Sequence, residues 1–245
     1  MYYRKIEHGI TILATGAQEW KPNEYLYGED PRIVTQLELE DRITHQPEEV
    51  ARANHIVMIQ CVASRNKERP NCSRTCCATA VKNALKIKEL NPNVNISILY
   101  RDVRTYGLAE SYYAKAREQG ILFIRYELEE KPEVKKDRQS LTVSYVDRIL
   151  KERMEIRPDY VVLSAATIPR ENEELATMLK LPRTMEGFFL EAHMKLRPVD
   201  FATDGMYLAG GAHGPTLISE TITQASAAAS RACTILSKEK MLVGG

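Results

Sequence analysis

His55-Ile56-Val57-Met58-Ile59-Gln60-Cys61-Val62 is the stretch that decides the fold. Its apolar residues run almost without interruption, as in a parallel strand whose sheet is covered on both faces. A helical pattern over 73–90 follows and stops before a proline, and Asn95–Tyr100 has the pattern of the next buried strand. A helix over 109–119 and a strand over 121–126 complete a β-α-β-α-β order, which is typical of a nucleotide-binding α/β domain.

Shorter elements are predicted on both sides of this core. The predicted strands are 9–13, Ser140–Asp147, 154–156, Tyr160–Ala165 and 206–209, the predicted helices are 35–43, 171–181 and 215–237, and a charged turn is predicted over 131–138. Together with the core they predict an α/β protein in which a β-meander follows the parallel strands.

The composition is that of an ordinary globular protein. Of its 245 residues, 44% are hydrophobic and 27% are charged, which excludes disorder as the main state. Lys and Arg number 34 against 33 for Asp and Glu, so the net charge of +1 gives no electrostatic case for nucleic-acid binding. The longest apolar runs are strand-sized and the N-terminus lacks a signal-peptide pattern, so we expect no membrane span and a cytoplasmic location.

Four of the five cysteines are close together in the sequence: Cys61, Cys72, Cys76 and Cys77. In a reducing compartment such clustered thiols favour metal or redox chemistry over a structural disulfide. Four thiolates bind either zinc or an iron–sulfur cluster, and an adjacent pair suits a cubane better because its metal corners are spread apart. Cys61 is expected to end a strand and the other three to occupy the first turns of a helix, where free N–H groups stabilise thiolates.

Three other interpretations of the cysteines remain open from the residues alone. They are a zinc site, a vicinal dithiol–disulfide centre at Cys76 and Cys77, and buried thiols that act as small hydrophobic side chains. The loop between the cysteines adds positive charge through Arg65, Lys67 and Arg69. Cys233 lies far away in an Ala-rich helical pattern and is expected to be a small buried residue.

Longer motifs surround the cysteines and continue to the C-terminal part of the chain. They are Gln60-Cys61-Val62-Ala63-Ser64-Arg65, Cys72-Ser73-Arg74-Thr75-Cys76-Cys77, Lys82-Asn83-Ala84-Leu85-Lys86, Leu99-Tyr100-Arg101-Asp102-Val103-Arg104-Thr105-Tyr106-Gly107, Phe123-Ile124-Arg125-Tyr126, Glu191-Ala192-His193, Leu196-Arg197-Pro198-Val199-Asp200-Phe201-Ala202-Thr203-Asp204-Gly205 and Ala212-His213-Gly214-Pro215. Together they resemble the flavin domain of the heterodisulfide reductase A subunit. That family is similar to thioredoxin reductase and carries additional iron–sulfur clusters.

The resemblance implies an α/β, thioredoxin-reductase-like flavoprotein architecture with two dinucleotide-binding domains, in which the N-terminal FAD half with its Gly-x-Gly-x-x-Gly loop is missing. Residues 1–50 would be a partial FAD-domain segment, 51–165 a pyridine-nucleotide-type domain with the four-cysteine site, and 166–245 the return to the FAD domain. The resemblance also implies that the four clustered cysteines ligate one 4Fe-4S cluster. Because Cys61 stands where a glycine-rich turn would bind a nicotinamide dinucleotide, we expect no such binding.

The resemblance further implies that two segments contact FAD. The implied contacts are Ala14, Thr15 and Gly16 after the first strand, and Gly210, Gly211, Ala212 and His213 before the last helix. Gly211 replaces an acidic residue that binds a ribityl hydroxyl in related reductases. His213 is either a candidate donor to the flavin ring or a turn histidine exposed to water. Lys82 is implied to approach the flavin near N5 as a catalytic residue, where its ammonium would stabilise an anionic reduced flavin. A solvated helix lysine is the alternative.

The expected function is that of an electron-transfer oxidoreductase subunit, inactive without its partner chains. Its cofactors would be one 4Fe-4S cluster and FAD, with the FAD shared with a chain that supplies the missing half, and flavin-based electron bifurcation is an implied possibility. The implied partners are heterodisulfide-reductase-type subunits and ferredoxin-like, hydrogenase or dehydrogenase electron carriers. Two alternatives are a cluster-bearing scaffold subunit without FAD and a vicinal-dithiol redox protein.

Overall fold

Residues 7–238 are described by the computed structural model, and they belong to two units. One unit consists of residues 20–166, and the other combines the residues before 20 with those from 167 onward. The predicted end of the middle domain at residue 165 lies beside this division. Its predicted start at residue 51 does not, because a strand and a helix within residues 33–45 belong to the same unit as the parallel sheet.

Twelve strands and six α-helices are present in the described part of the chain. Strands β1 to β12 are Thr11–Leu13, Ala17–Glu19, Ile33–Thr35, His55–Val62, Asn95–Tyr100, Leu122–Arg125, Glu133–Asp137, Ser140–Asp147, Glu152–Ile156, Tyr160–Ala165, Thr167–Pro169 and Met206–Leu208. Helices α1 to α6 are Gln36–His45, Pro47–Ala51, Cys76–Leu90, Ala109–Glu118, Glu173–Leu179 and Ile218–Leu236. Short 3-10 turns cover Leu128–Glu130 and Gly210–Ala212.

The unit of residues 20–166 is built on a parallel sheet with the strand order β3-β10-β4-β5-β6. Strands β4, β5 and β10 have the predicted bounds. Val57 of β4 is paired with Val161 of β10 on one side and Ser97 of β5 on the other. Because β4 and β5 are parallel neighbours, the loops that follow them leave the sheet at the same edge.

Alternate residues of β4 face two different hydrophobic cores. Ile56 and Met58 pack with apolar residues of the helices, and Val57 and Ile59 pack with residues of the antiparallel meander β7-β8-β9. Burial on both faces explains why the strand has no alternating polar pattern. The α1 helix begins as its sequence predicts, because Thr35 forms a capping box with the side chain and backbone of Glu38.

Several elements differ from the sequence-based predictions. The charged turn predicted over 131–138 contains strand β7, whose side chains are mostly exposed and which pairs with β8. An edge strand of this kind carries charged residues without burying them. Strands β2, β3 and β11 and the short helix α2 were not predicted. Each has five residues or fewer, so no periodic pattern identifies it.

The second unit is held together by strand pairing and by helix α6. Strand β1 is parallel to β12, and β2 is antiparallel to β11. Ala228 and Ala232 of α6 pack with Tyr207 in the core of this unit. Cys233 is exposed, so the expectation that it is buried is wrong: one residue after Ala232, its side chain points about 100° away around the helix. Within residues 7–238, no helix has the length and apolar character that crossing a membrane requires.

Asp30 is a buried carboxylate that supports the first unit. It accepts hydrogen bonds from Arg32 Nε at 2.9 Å and Nη2 at 2.8 Å, and it lies 3.0 Å from Lys136 Nζ. The hydrogen bonds from Arg32 outweigh the effect of burial and hold the pKa of Asp30 well below its usual range. Because the pKa is depressed on folding, Asp30 contributes stability above its unfolded pKa of about 3.9, and this stability is lost as the pH falls towards the folded pKa.

We therefore expect Asp30→Asn to lower the free energy of unfolding at pH 7 by about 2 kcal/mol, the scale of a charge-assisted hydrogen bond. Urea unfolding of the wild type and the variant at several pH values measures this. The difference should shrink below about pH 4. Asp137→Asn, at an exposed position on β7, is the control and should have little effect. If the difference in free energy of unfolding between the wild type and Asp30→Asn stays constant across the acidic range, the depressed pKa assigned to Asp30 is wrong.

Candidate functional site

The four clustered cysteines lie where strand β4 ends and helix α3 begins. Cys61 is the penultimate residue of β4, and Cys76 and Cys77 are the first two residues of α3. Cys72 lies in the connecting loop, so its predicted place in the first helical turns is wrong. The reason is the backbone of Arg74, whose φ of 61° is left-handed and is incompatible with a right-handed α-helix.

The backbone around these cysteines is unusually strained. Cys61, Ala63 and Arg65 have φ values of 60°, 56° and 56°, in the left-handed region that favours glycine. With Arg74 they are four of the eight non-glycine residues that have a positive φ in the described chain. Each such residue costs about 1–2 kcal/mol, and strain of this kind tends to accumulate at functional sites.

The four thiols interact electrostatically with one another. All are free, and Cys61, Cys76 and Cys77 are buried. Burial, together with the nearby Cys77 and Cys72, raises the pKa of Cys61. A hydrogen bond from Cys76 to Cys77 raises the pKa of Cys76, whereas the same bond and the backbone N–H of Arg104 lower the pKa of Cys77 to about 7.

The sulfurs are not gathered around one point in the described structure. No group of three or more His, Cys, Asp or Glu side chains within residues 7–238 is placed to hold one ion. A zinc site would bring all four sulfurs to about 2.3 Å from the same metal. A four-iron cluster instead takes its cysteines on different irons, so its sulfurs do not converge on one point.

Hydrogen-bond donors approach the sulfurs from several directions. Arg65 Nη1 is 3.9 Å from Cys61 Sγ, and the backbone N–H of Arg74 donates to Cys72 Sγ at 3.3 Å. Gln60 precedes Cys61 and is 1% exposed, yet neither its amide nitrogen nor its amide oxygen has a hydrogen-bond partner in the described structure. A buried amide without partners is costly, so Gln60 carries an unmet hydrogen-bonding demand.

The loop after β5 also reaches the cysteines, a contact that the sequence did not predict. The thiol of Cys77 donates to the backbone oxygen of Asp102 at 3.6 Å. The Asp102 carboxylate is 2.5 Å from Arg65 Nη2 and 3.6 Å from Arg104 Nη2. The strand order could have predicted this contact. Residues 101–104 follow β5, which neighbours β4, so they reach the same sheet edge as the cysteines.

Lys82 lies on α3 about one turn beyond Cys77. Its Nζ is 2.6 Å from Glu40 Oε1 of α1, and 61% of its side chain is exposed. An exposed pair of this kind is worth about 0–1 kcal/mol, so the ammonium is not committed to Glu40. The described contacts therefore leave the role of Lys82 at a flavin as a prediction.

The two segments that the resemblance assigns to FAD lie together in the second unit. Ala14, Thr15 and Gly16 follow β1, and the turn Gly210–Ala212 follows its parallel neighbour β12. A Cβ atom built on Gly211 would lie 3.0 Å from the nitrogen of Ala17 and 3.3 Å from the carbonyl carbon of Gly16. This close approach leaves no room for a side chain at position 211. The hydroxyl oxygen of Thr15 is buried without a described partner.

His213 is already engaged within the second unit. Its Nε2–H donates to Glu191 Oε2 at 2.8 Å, and its Nδ1 accepts from Gln224 Nε2 at 3.4 Å. Burial acts to raise the pKa of Glu191, but its own backbone N–H and His213 outweigh that effect and lower it. Gln224 Oε1 also accepts from the backbone N–H of Gly210 at 2.7 Å. Donation from the ring of His213 to a flavin would therefore require one of these contacts to break.

Known proteins that resemble this chain support the assignment of its fold and ancestry. No protein-family model matches the chain. The A subunit of the H(2):CoB-CoM heterodisulfide,ferredoxin reductase of Methanothermobacter thermautotrophicus is 38% identical over 248 residues, which cover 93% of this chain and 37% of that protein. The iron-sulfur A subunit of the CoB–CoM heterodisulfide reductase of Methanocaldococcus jannaschii is 41% identical over 246 residues, which cover 92% and 37%.

The chain is a homologue of part of the heterodisulfide reductase A subunit. It spans 37% of the length of the two relatives just described. The resemblance inferred from the motifs is therefore confirmed. The printed names of these two relatives describe them as subunits of heterodisulfide reductases.

Solved structures confirm the predicted fold class of this heterodisulfide reductase homologue. T. acidophilum thioredoxin reductase superposes with a TM-score of 0.61 at 15% identity, covering 94% of this chain and 66% of that one. Lactococcus lactis thioredoxin reductase gives a TM-score of 0.60 at 19% identity, covering 93% and 66%. At this level of identity the likeness shows the fold alone, which is the thioredoxin-reductase-like α/β fold expected from the sequence.

Proposed function

We propose that this chain binds one 4Fe-4S cluster through Cys61, Cys72, Cys76 and Cys77 and transfers electrons between that cluster and FAD in a heterodisulfide-reductase-like complex. The observation that carries the proposal is the meeting of four free cysteines at the end of β4 and the start of α3. Adjacent cysteines in a buried helix start suit ligands on different corners of a cubane. The donor set is soft and all-sulfur, which is the usual ligand set of a 4Fe-4S cluster.

The electrostatic surroundings favour negatively charged sulfur. Cys76 and Cys77 occupy the first turn of α3, where unpaired backbone N–H groups and the positive end of the helix dipole stabilise thiolates. Arg65 adds a guanidinium beside Cys61, and Arg74 adds a backbone N–H beside Cys72. The amide of Gln60, one residue before Cys61, is also buried without a described partner. The donors of Arg65 and Arg74 would stabilise the thiolate form of Cys61 and Cys72.

The FAD contacts proposed for the second unit rest on Ala14, Thr15 and Gly16 and on Gly210, Gly211 and Ala212. The buried hydroxyl of Thr15, which has no described partner, supports a polar ligand at this sheet edge. FAD, when bound, supplies a redox centre that accepts electrons singly or in pairs. Lys82 is proposed to place its ammonium at the flavin ring once it leaves Glu40, and His213 is proposed as a further ring contact.

The partners of the whole protein belong to the proposal as well. We propose that another polypeptide segment completes the FAD site and that heterodisulfide-reductase-type subunits exchange electrons with this chain. The names of the relatives, which include hydrogen, the CoB–CoM heterodisulfide and ferredoxin, support ferredoxin-like and hydrogenase or dehydrogenase carriers as the electron partners. Flavin-based bifurcation belongs to the same proposal. Four unpaired thiols suit a reducing compartment such as the cytoplasm.

A vicinal-dithiol redox centre is the second candidate. It is favoured by the hydrogen bond between Cys76 and Cys77 and by the lowered pKa of Cys77, since a thiolate near neutral pH is a competent nucleophile. In that case Cys61 and Cys72 would have no common role with the pair.

The proposal is tested by anaerobic purification of the chain, together with its native partners where it forms a complex, followed by stepwise reduction with dithionite. We expect an electron paramagnetic resonance signal of a reduced cubane and bleaching of the flavin absorbance in the same sample. Flavin bleaching without that signal would favour the dithiol centre. A cluster signal without flavin would favour a cluster-bearing scaffold.

A further inference from the structure

Arg65 lies between the cysteine site and the loop after β5. Its Nη1 is 3.9 Å from Cys61 Sγ, and its Nη2 is 2.5 Å from Asp102 Oδ2. Only 17% of its side chain is exposed, so water screens its charge weakly. A guanidinium stays charged at every physiological pH, so Arg65 provides a permanent positive charge beside one cysteine sulfur.

Both the backbone and the side chain of Arg65 are held in place. The left-handed φ of 56° turns the chain towards the site, and the backbone N–H donates to the oxygen of Asn71 at 3.3 Å. The backbone oxygen of Arg65 accepts from Arg101 Nη1 at 2.7 Å. Asp102 then fixes the direction of the guanidinium. An arginine that is anchored in this way pays little conformational entropy when it contacts a ligand.

Asp102 contacts Arg65 through its carboxylate and Cys77 through its backbone. Its backbone oxygen accepts from the thiol of Cys77, and its carboxylate also approaches Arg104. Burial opposes the charged form of Arg65, but the hydrogen bonds and charges of Asp102 and Cys61 outweigh it and raise the pKa of Arg65. The side-chain contacts therefore run from Cys61 through Arg65 to the carboxylate of Asp102.

The other cationic side chains of the loop are placed differently. Lys67 is exposed. The guanidinium of Arg69 lies 4.0 Å from the centre of the Trp20 ring and pairs with Glu68 at 3.6 Å. Of these three side chains, Arg65 is the one with a described contact to a cysteine. The sequence alone assigned all three to the same positive region.

We propose that Arg65 is a positioning residue that holds the Cys61 thiolate towards the cluster and favours the reduced, more negative state of that cluster, with Asp102 fixing its guanidinium. This inference rests on the proposed function. A positive hydrogen-bond donor at a ligand sulfur stabilises the added electron, and the reduction potential of the cluster rises. Arg65 thus sets the potential at which this chain accepts an electron.

The test compares reduction potentials of the cluster in the wild type, Arg65→Gln, Arg65→Lys and Lys67→Ala. The full chain, with its partners where it forms a complex, is titrated with dithionite and monitored by electron paramagnetic resonance, after measurement of iron and acid-labile sulfide. At a fixed potential we expect the ratio of reduced to oxidised cluster in Arg65→Gln to be about tenfold lower than in the wild type, which is about 59 mV for a one-electron couple. Arg65→Lys keeps the charge and should shift less, and Lys67→Ala should shift little because Lys67 is in water.

Each outcome decides between the inference and the proposed function. If Arg65→Gln and Lys67→Ala hold the cluster and shift equally, the inference is overturned while the proposed function stands. A wild-type protein without iron and sulfide overturns both. If Arg65→Gln takes up no iron, the reduction potential of the cluster in Arg65→Lys decides whether the inference holds. A potential below that of the wild type supports the inference, because lysine loses the two-pronged contact with Cys61 and Asp102, and an unchanged potential overturns it.

Discussion

Cys77→Ser is expected to abolish the iron–sulfur cluster. Cys77 is buried, begins α3 and has its pKa lowered to about 7, so it is the cysteine most readily available as a thiolate. A serine hydroxyl is a harder and more weakly acidic ligand, which suits iron–sulfur chemistry poorly. Because the loss of an outer-shell contact alone weakens metal binding about 10–100-fold, the loss of a ligand should cost at least as much.

The measurement is the iron and acid-labile sulfide content per chain after identical anaerobic reconstitution, with the visible absorbance as a second readout. Cys233→Ser is the matched control, because it makes the same chemical change at an exposed position on α6. We expect the control to keep its full iron content and Cys77→Ser to lose most of it. Equal iron in the two variants would exclude Cys77 as a ligand.

Gly211→Val is expected to damage the second unit and the flavin contacts proposed for it. The added side chain would meet the backbone nitrogen of Ala17 at 3.0 Å and the carbonyl carbon of Gly16 at 3.3 Å. Neither group can swing away as a flexible side chain does, so the turn itself must shift. Overpacking of this kind costs about 1–3 kcal/mol, and a β-branched side chain against backbone should reach the upper end.

Gly214→Val provides the comparison, because no atom lies within 4 Å of a Cβ built on Gly214. The two variants are compared by urea unfolding and by the flavin retained after purification of the complex. We expect a clear loss of stability and of flavin in Gly211→Val and near wild-type values in Gly214→Val. Identical behaviour of the two would show that the close approach of Gly211 to Gly16 is unimportant.

The parallel core could be predicted from the sequence because its signal is local. Strands β4, β5 and β10 are continuous apolar runs that are buried on both faces, and their bounds were predicted residue by residue. Strand β3 has only three residues, and it exists because Val34 pairs with Val162, far along the chain. A contact of that sequence separation leaves no local pattern. The same reason applies to the pairing of β2 with β11.

The candidate site was predicted in its residues but not in its geometry. The cysteine spacing identified all four thiols, whereas the left-handed Arg74 that ends the loop and delays the helix has no signature in a non-glycine residue. The contact of Arg65 with Cys61 depends on Asp102, which reaches it from another strand's loop. Similarly, Glu191 and Gln224 surround His213 only after the chain has folded.

The most direct measurement is the amount of iron, acid-labile sulfide and zinc per chain in protein that has been purified anaerobically. We expect about four irons and four sulfides per chain and no stoichiometric zinc, because a cubane takes one cysteine on each iron. One zinc per chain without sulfide, or a metal-free protein whose Cys76 and Cys77 cycle between dithiol and disulfide, would contradict it.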